Sequence, residues 1–452
     1  MQISLLKMIA VEVAVAPRPH EDPRLQPPEI AVHRRHTVGL GIRELRFANG
    51  VRLNIKRTEI EKERVLVQLN VDGGDMLNTR DHPLQTEMVS MFAAGGLGKH
   101  SQDELQTMLA GHTLGSGLAS TPETFVTLAG TTQQDLSLQL QLMAATITDP
   151  GYRKEGQTFY YNAMNTFFAR LRSTPRDALA ADEGAILSDN DPRFSLQPIE
   201  SYRALTFAKL KEALADRLAH GAIEIGVVGD VDEDAAIAAV AKTFGALPPR
   251  ESDFQSYPDQ RSHPFTSDSS IHVVLHQGSP DQAIVRLVWP TCDGEDPVET
   301  MELLLLDRVA QNRLTETLRE ALGKAYSPQA SSDASRVWRG YGTFTLTAPV
   351  APGEVSAVRA AMLQAVADLR IKPVSADELE RARAPMIEEQ NNRLKTNRGW
   401  ITLVDRAQTE ADRIDRQRKA VSRLQAITAA DVQAMARRYL TADRAVEIDV
   451  LP

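Results

Sequence analysis

The fold is decided by two stretches, LTFAKLKEALADRLAHGAIEIGVVG at residues 205–229 and ITAADVQAMARRYLTADRAVEIDVL at 427–451. Each reads as a helix with apolar residues at helical spacing, followed by a final strand. Working outward, the same pairing recurs. RVLVQLNVDGG (64–74) is a strand leading to a helix that opens at Asp81-His82-Pro83, and AIVRLVWPTCD (283–293) is a strand leading to one that opens at Asp296-Pro297. FVTLAGTTQQDL (125–136) and FTLTAPVAPGEV (344–355) each give a strand, a turn and a helix. The spacings 297 − 83 = 214, 345 − 127 = 218 and 428 − 206 = 222 are nearly constant, as a domain duplication requires. Strands come in adjacent pairs and helices in blocks, so each copy is expected to be an α+β sandwich, not a doubly wound sheet.

The stretch PPRESDFQSYPDQRSHPFTSDSS (248–270), rich in Pro, Ser and charge, reads as the linker between copies. Residues 17–39 hold five prolines and no helical or strand period, as in an extended tail over the surface. The apolar start LLKMIAVEVAVAP carries Lys7 and Glu12, which fits poorly with a secretory signal and leaves a trimmed mature end or an arm open. The expected organisation is an extended arm over 1–39, a first domain over 40–247, the linker over 248–270 and a second domain over 271–452.

At 452 residues the chain is too long for one core and suits two. Its net charge of −9, with no run of five or six basic residues, provides no positive field for a polyanion and argues against nucleic acid as a partner. No apolar run approaches the ~18 residues of a membrane span. Cys292 is the only cysteine, so no intrachain disulfide is possible, and it reads as a small core residue.

The ten histidines give no metal-ligand spacing. His33 and His36 lie in the tail with no carboxylate between them. His272 and His276, on one face of a strand, are ~13 Å apart, too far for one ion. His220 precedes Gly221 at a helix end, where it suits the helix dipole. His82 and Glu87, five apart, point to different faces of a helix. IGVVGDVDED (225–234) lacks G-x-G-x-x-G and reads as a tight strand exit.

The candidate for chemistry is RLTETLREALGKAYSP, 313–328. Asp296 caps its helix with Pro297 in the first turn, and Met301, Leu305, Val309, Leu314, Leu318 and Leu322 hold one face down to Gly323. Arg319 falls in the last turn and Tyr326 one loop further on. From spacing alone, two readings stay open. Arg319 answers the helix dipole while Tyr326 packs as a strand aromatic, or the two act together on a ligand.

The two-copy layout, the VVGD strand exit at 227–230 and LREALGKAYSP at 318–328 together resemble the M16 metallopeptidases (insulinase, pitrilysin and mitochondrial processing peptidase-like) from residue 40 onward. The resemblance implies two such halves closing like a clamshell around a peptide chamber, this chain forming one of them. It implies a zinc motif H-x-x-E-H with a distal Glu in one half, and the pattern R-E-x-L-G-x-x-Y-S in the other. The second pattern is matched here by Arg319, Glu320, Leu322, Gly323, Tyr326 and Ser327. The first is not: the zinc helix position reads HPLQTEMVSMFAAGG (82–96), and the distal Glu position, FYYNAMNTFFARL (159–171), offers only Asn162 and Asn165.

The resemblance therefore implies the noncatalytic subunit of a heterodimeric bacterial M16B peptidase. No metal or cofactor is expected in this chain, and zinc is expected in an H-x-x-E-H-bearing partner. Arg319 and Tyr326 would hold substrate and transition state in the partner's active site. The alternatives are a structural core-type subunit and a self-sufficient hydrolase using Cys292 or an unusual metal set. A periplasmic location is expected, as for exported bacterial relatives.

Overall fold

The computed structural model describes residues 35–37, 40–322 and 327–452. Two sheets are present. The first contains β1 (Arg35–Thr37), β2 (Ile42–Arg46), β3 (Arg52–Arg57), β4 (Val65–Asp72), β5 (Ala119–Ser120), β6 (Thr124–Thr131) and β7 (Ile223–Gly229), in the order β1-β2-β3-β7-β4-β6-β5. The second contains β8 (Ile271–Leu275), β9 (Ala283–Thr291), β10 (Gln329–Ala334), β11 (Gly342–Val350) and β12 (Val446–Leu451), in the order β10-β11-β9-β12-β8. In each copy the last strand inserts between two earlier ones, parallel to one and antiparallel to the other: β7 between β3 and β4, β12 between β8 and β9. The duplication legible in the sequence is thus a duplication of topology. Arg35–Thr37, within the expected arm, pair with β2 at the edge of the first sheet, and the rest of the arm lies outside the described residues.

The first copy adds α1 (Gln102–Met108), α2 (Leu136–Thr148), α3 (Lys154–Arg170), α4 (Pro175–Leu187), α5 (Ile199–Arg203), α6 (Phe207–His220) and α7 (Glu233–Lys242). The second adds α8 (Pro297–Leu322), α9 (Val355–Ile371), α10 (Ala376–Arg393), α11 (Asn397–Val404), α12 (Arg413–Ala426) and α13 (Ala429–Tyr439). Helix starts repeat with the sheets. Thr206 Oγ1 accepts from Lys209 N and Thr428 Oγ1 from Asp431 N, each at 3.3 Å, while Thr174 and Thr396 cap α4 and α11 in the same way. Both pairs of caps lie 222 residues apart (428 − 206, 396 − 174). Without such an acceptor the first N–H groups of a helix have no partner.

One face of each sheet packs on its own helices. Leu53, Ile55, Val67, Leu69 and Ile225 meet Leu140, Leu214 and Val240, and Val285, Leu287, Trp289 and Phe344 meet Leu305, Val358 and Val432. The opposite faces are covered reciprocally. Ala178, Leu179 and Leu187 of α4 lie on Val274, Val288, Ile448 and Val450 of the second sheet, while Ile401, Leu403 and Val404 of α11 lie on Ile42, Leu66 and Val228 of the first. Close approach of α11 needs Gly226, since a Cβ there would stand 2.7 Å from Asp405 Cα. Beneath it, the fully buried carboxylate of Glu224 on β7 accepts from Asn54 Nδ2 (2.6 Å), Gln408 N (2.8 Å) and both N (3.1 Å) and Oγ1 (2.5 Å) of Thr409.

The linker straps the same seam. Arg193 reaches the carbonyls of Gln260 and Ser262, Arg261 joins Glu123 to the Val337 carbonyl, and His263 stacks between Phe194 and Tyr341 at 3.6 and 3.8 Å. Burial holds His263 down at about 4, so it is neutral near pH 7.

One expectation fails. No α-helix opens at Asp81-His82-Pro83; Glu87–Met91 and Ala93–Gly95 form short 3₁₀ turns instead. The cause is competition from side chains. A helix would bond Thr86 N to the His82 carbonyl, but that carbonyl accepts from Thr79 N (3.2 Å), and Thr86 N donates to Asn78 Oδ1 (3.2 Å). Thr86 Oγ1 in turn donates to Asp75 Oδ1 at 2.7 Å. The following bonds, Val89 N to Thr86 O and Phe92 N to Val89 O, keep i→i−3 spacing.

Glu224→Ala would leave Arg52, 3.8 Å away, and the N–H groups of 408 and 409 without their buried acceptor. A loss of about 3–5 kcal/mol in urea unfolding is expected, the range for breaking a buried charge pair, with a clearly smaller loss for Glu224→Gln. Equal stability of Glu224→Ala and the parent chain would show that the seam does not depend on this carboxylate.

Candidate functional site

At residues 82–96, where the resemblance leads one to expect a zinc helix, the structure places an apolar wall with scattered polar groups. His82 is exposed and lines a cavity of about 670 Å³ with Arg80, Leu84, Gln197 and Lys209. Glu87 is half-buried, and burial, then the charge of Asp75, raises its carboxyl above the ordinary value. Asn162 and Asn165 lie on the exposed side of α3, with Asn165 Oδ1 accepting from Arg203 Nη2 at 2.8 Å. Among the residues of α3 that turn inward is Tyr160, fully buried, its hydroxyl without a hydrogen-bond partner among the described residues. Tyr160 is an unpromising zinc ligand, because burial, with the neighbouring Glu87 adding, drives its phenol far above the ordinary value. Among the described residues no group of three or more His, Cys, Asp or Glu is arranged to hold a metal ion. Zinc therefore does not fit this segment. His276 is also structural, bonding the Gln282 carbonyl at 2.8 Å and Gly278 N at 3.0 Å.

The corresponding helix of the second copy is built fully. Asp296 Oδ1 accepts from Val298 N at 2.7 Å, and Leu305, Val309, Leu314 and Leu318 are buried along α8. The periodic apolar face makes α8 a 26-residue helix, with Arg319 exposed in its last turn. Glu316, one turn back, stands 3.5 Å from Arg381 of α10. Tyr326 lies outside the described residues, so its distance from Arg319 is not part of the geometry.

The sequence reading missed a polar line on the same helix: Asp307, Gln311, Thr315 and Arg319 at i, i+4, i+8 and i+12. Gln311 donates to Thr315 Oγ1 (3.2 Å) and to the Pro328 carbonyl (2.8 Å), and accepts from Ala330 N (2.7 Å). Asp307 Oδ2 accepts from Ser332 N at 3.1 Å. The helix thus fixes the start of β10 and fills the N–H groups of its outer edge. The four-residue spacing was the available signal. Burial raises the Asp307 carboxyl to about 7, against the lowering influence of Arg308 and the Ser332 N–H.

Cys292 is half-buried, and burial raises its thiol above the ordinary value. A thiol in that state is a poor nucleophile, which removes the support for a self-sufficient hydrolase.

The comparisons with known proteins point the same way as this duplicated α+β sandwich. Residues 204–386 match the family model described as the peptidase M16 inactive domain. The periplasmic protease PqqL from Escherichia coli superposes with a TM-score of 0.77 at 16% identity, over 97% of this chain and 48% of that one. A peptidase M16 inactive domain from Pseudomonas fluorescens superposes with a TM-score of 0.74 at 16% identity, over 91% of this chain and 98% of that one. The chloroplastic stromal processing peptidase of Arabidopsis thaliana is 20% identical over 434 residues, covering 83% of this chain and 34% of that protein. The chain thus spans about a third of the curated relative's length and about half of PqqL. At such identities the likeness to solved structures is one of fold. Among the described residues, no helix is long and apolar enough to cross a membrane.

Asp307 yields a pH test. Its carboxyl moves from the ordinary 3.8 to about 7 on folding, so between those values the folded chain holds a proton that the unfolded chain has released. Stability tied to this group is therefore complete below pH 4 and lost as pH rises through 7. Asp307→Asn keeps an acceptor for Ser332 N and removes the titration. It should exceed the parent in stability at pH 8 by on the order of 2–4 kcal/mol, with the difference vanishing near pH 4. Denaturant curves at both pH values check this, and a difference independent of pH would refute it.

Proposed function

We propose that this chain is the non-zinc-binding subunit of a two-chain M16 peptidase, completing a zinc-bearing partner's active site with Arg319 and Tyr326 and helping to enclose peptide substrates. The observation that carries this reading is the contrast between equivalent positions of the two copies. The first has 3₁₀ turns and, among the described residues, no ligand set, whereas the second has a long helix with Arg319 in its last turn and the match to R-E-x-L-G-x-x-Y-S. The fold likeness supports it: the two copies together superpose on 48% of the protease PqqL.

In this reading the partner supplies the metal, whose chemistry is activation of water for attack on a peptide carbonyl. This chain supplies donors. The Arg319 guanidinium, exposed at a helix end, holds a substrate carbonyl, and the Tyr326 phenol donates to the oxygen on which charge develops. The buried seam between the copies keeps that helix end on a rigid body. A periplasmic location is part of the proposal and accords with the one stated for PqqL.

The test is peptide cleavage by this chain alone, by an H-x-x-E-H-bearing M16 chain alone, and by the mixture. Activity is expected only on mixing. Tyr326→Phe should then lower kcat about 10²-fold or more, and Arg319→Ala at least as much with a rise in KM, both with unchanged assembly. Near-normal turnover by fully assembled variants would make the chain a structural core-type subunit.

A further inference from the structure

The two copies differ at one helix seam in a way that the proposed function does not use. In the second copy the first turn of α8 is bonded to α13: Glu299 Oε1 accepts from Tyr439 Oη at 2.6 Å and from Arg438 Nη1 at 2.5 Å. At the spacing of the duplication Glu299 corresponds to Gln85 (299 − 214), and α13 to α6. Gln85 makes no such bond. Its Nε2 donates back to the Leu77 carbonyl at 2.9 Å, in the segment where Asn78 and Thr86 suppress the helix. Between that segment and α6 lies the cavity of about 670 Å³. Its size falls within the ~300–1,000 Å³ of sites that take small organic ligands.

The lining is divided by polarity. Its most buried part is apolar: Met88 and Leu210 are 1% and 4% exposed, and Leu84 and Leu205 are half-buried. Its exposed part carries both signs of charge, Arg80, His82 and Lys209 with Asp81 and Glu212. Arg80 is fixed on buried Asp191 through Nε (3.1 Å) and Nη2 (3.0 Å), and Asp191 is in turn gripped by Arg193. Lys209 Nζ donates to the Ala204 carbonyl at 2.9 Å. The turn carrying Asp81 and His82 is fastened at its base, where Thr79 and His82 exchange backbone hydrogen bonds of 3.2 Å. The side chains of Asp81, His82 and Glu212 have no partner among the described residues.

This combination selects among ligands. A simple anion would meet Asp81 and Glu212 at the same mouth as the cations, and a wholly apolar molecule would leave both signs of charge unmatched beside it. A short peptide with free ends brings a carboxylate, an ammonium and apolar side chains together. Partly exposed charge pairs contribute only a few-fold each, so affinity has to gather from both ends and from the buried side chain.

We propose that this cavity binds short peptides with free termini, the carboxylate among Arg80, His82 and Lys209, the ammonium at Asp81 and Glu212, and an apolar side chain against Met88 and Leu210. Binding draws only on residues of the first copy, so it holds whether or not the chain completes a partner's active site.

The test is calorimetric titration of the full-length chain, without a partner, with the tripeptide Leu-Ala-Leu. Saturable binding of one peptide per chain is expected, and the N-acetylated, C-amidated form should bind at least tenfold more weakly. His82→Gln with Lys209→Gln should weaken the free peptide several-fold and leave the C-amidated one unchanged. Asp81→Asn with Glu212→Gln should weaken the free peptide and leave the N-acetylated one unchanged, a coupling that a merely structural role would not produce. These four residues are exposed, so the melting temperature should not move. Ala213→Trp, which puts an indole into the lining, should abolish binding. Absence of saturable binding at millimolar peptide, equal affinity for free and doubly blocked peptides, or indifference to both charge-removing pairs would overturn the inference. Acetate binding as tightly as the tripeptide would make the cavity an anion site and overturn the peptide assignment.

Discussion

The structure depends on a carboxylate with no access to water. Glu224 lies on the central strand of the first sheet, yet three of the four donors it satisfies belong to residues 408 and 409, just past α11 of the second copy. A buried charge is tolerable only with its donors in place, so the ladder position of β7 dictates where the second copy's chain must pass. Gly226, two residues on, removes the Cβ that would otherwise hold α11 off the sheet. Together they oblige α11 to cover the first sheet, and α4 covers the second in return.

That exchange explains why two sandwiches of this size behave as one body. A sheet with helices on one side leaves an apolar face that must be covered, and each copy has its missing layer supplied by the other. The linker adds polar fastening along the same line through Arg193, Arg261 and the His263 stack. Neither copy would present a satisfied surface if separated, because Ile42, Leu66 and Val228 on one side and Val288, Ile448 and Val450 on the other would be bared.

Features that repeat locally were legible in the sequence, and features set by long-range contact were not. The strand-and-helix order of both copies, the Asp296 cap, the buried face of α8 and the strand exit at Gly229 follow from spacing within a few residues. The failed helix at Asp81 had good helical composition. Its fate was set by Asp75, Asn78 and Thr86, short polar side chains whose bonds to backbone and to one another outcompete the first helical turn. The exchange of α4 and α11 was invisible because their apolar residues say only that something covers them, not which sheet. Of the candidate site, Arg319 was singled out from its motif, and the structure places it exposed in the last turn of α8. Asp307 and Gln311 were passed over because each alone looks like an ordinary surface polar residue, and only the 3.1 Å and 2.7 Å bonds to β10 give them a role.

The same rigidity constrains how a peptide chamber could operate. An enclosing peptidase must open to admit substrate, and motion follows surfaces that separate at low cost. Within this chain the seam between copies is a poor hinge, since parting it would expose two apolar faces and strip Glu224 of its donors. If the chain acts as half of a peptidase, opening must therefore occur between it and its partner, with α8 and Arg319 carried as part of one rigid half. In that reading the helix end is positioned by α8's buried face and by the closure of the two subunits, not by rearrangement inside the chain, and association itself would be the step that assembles the site.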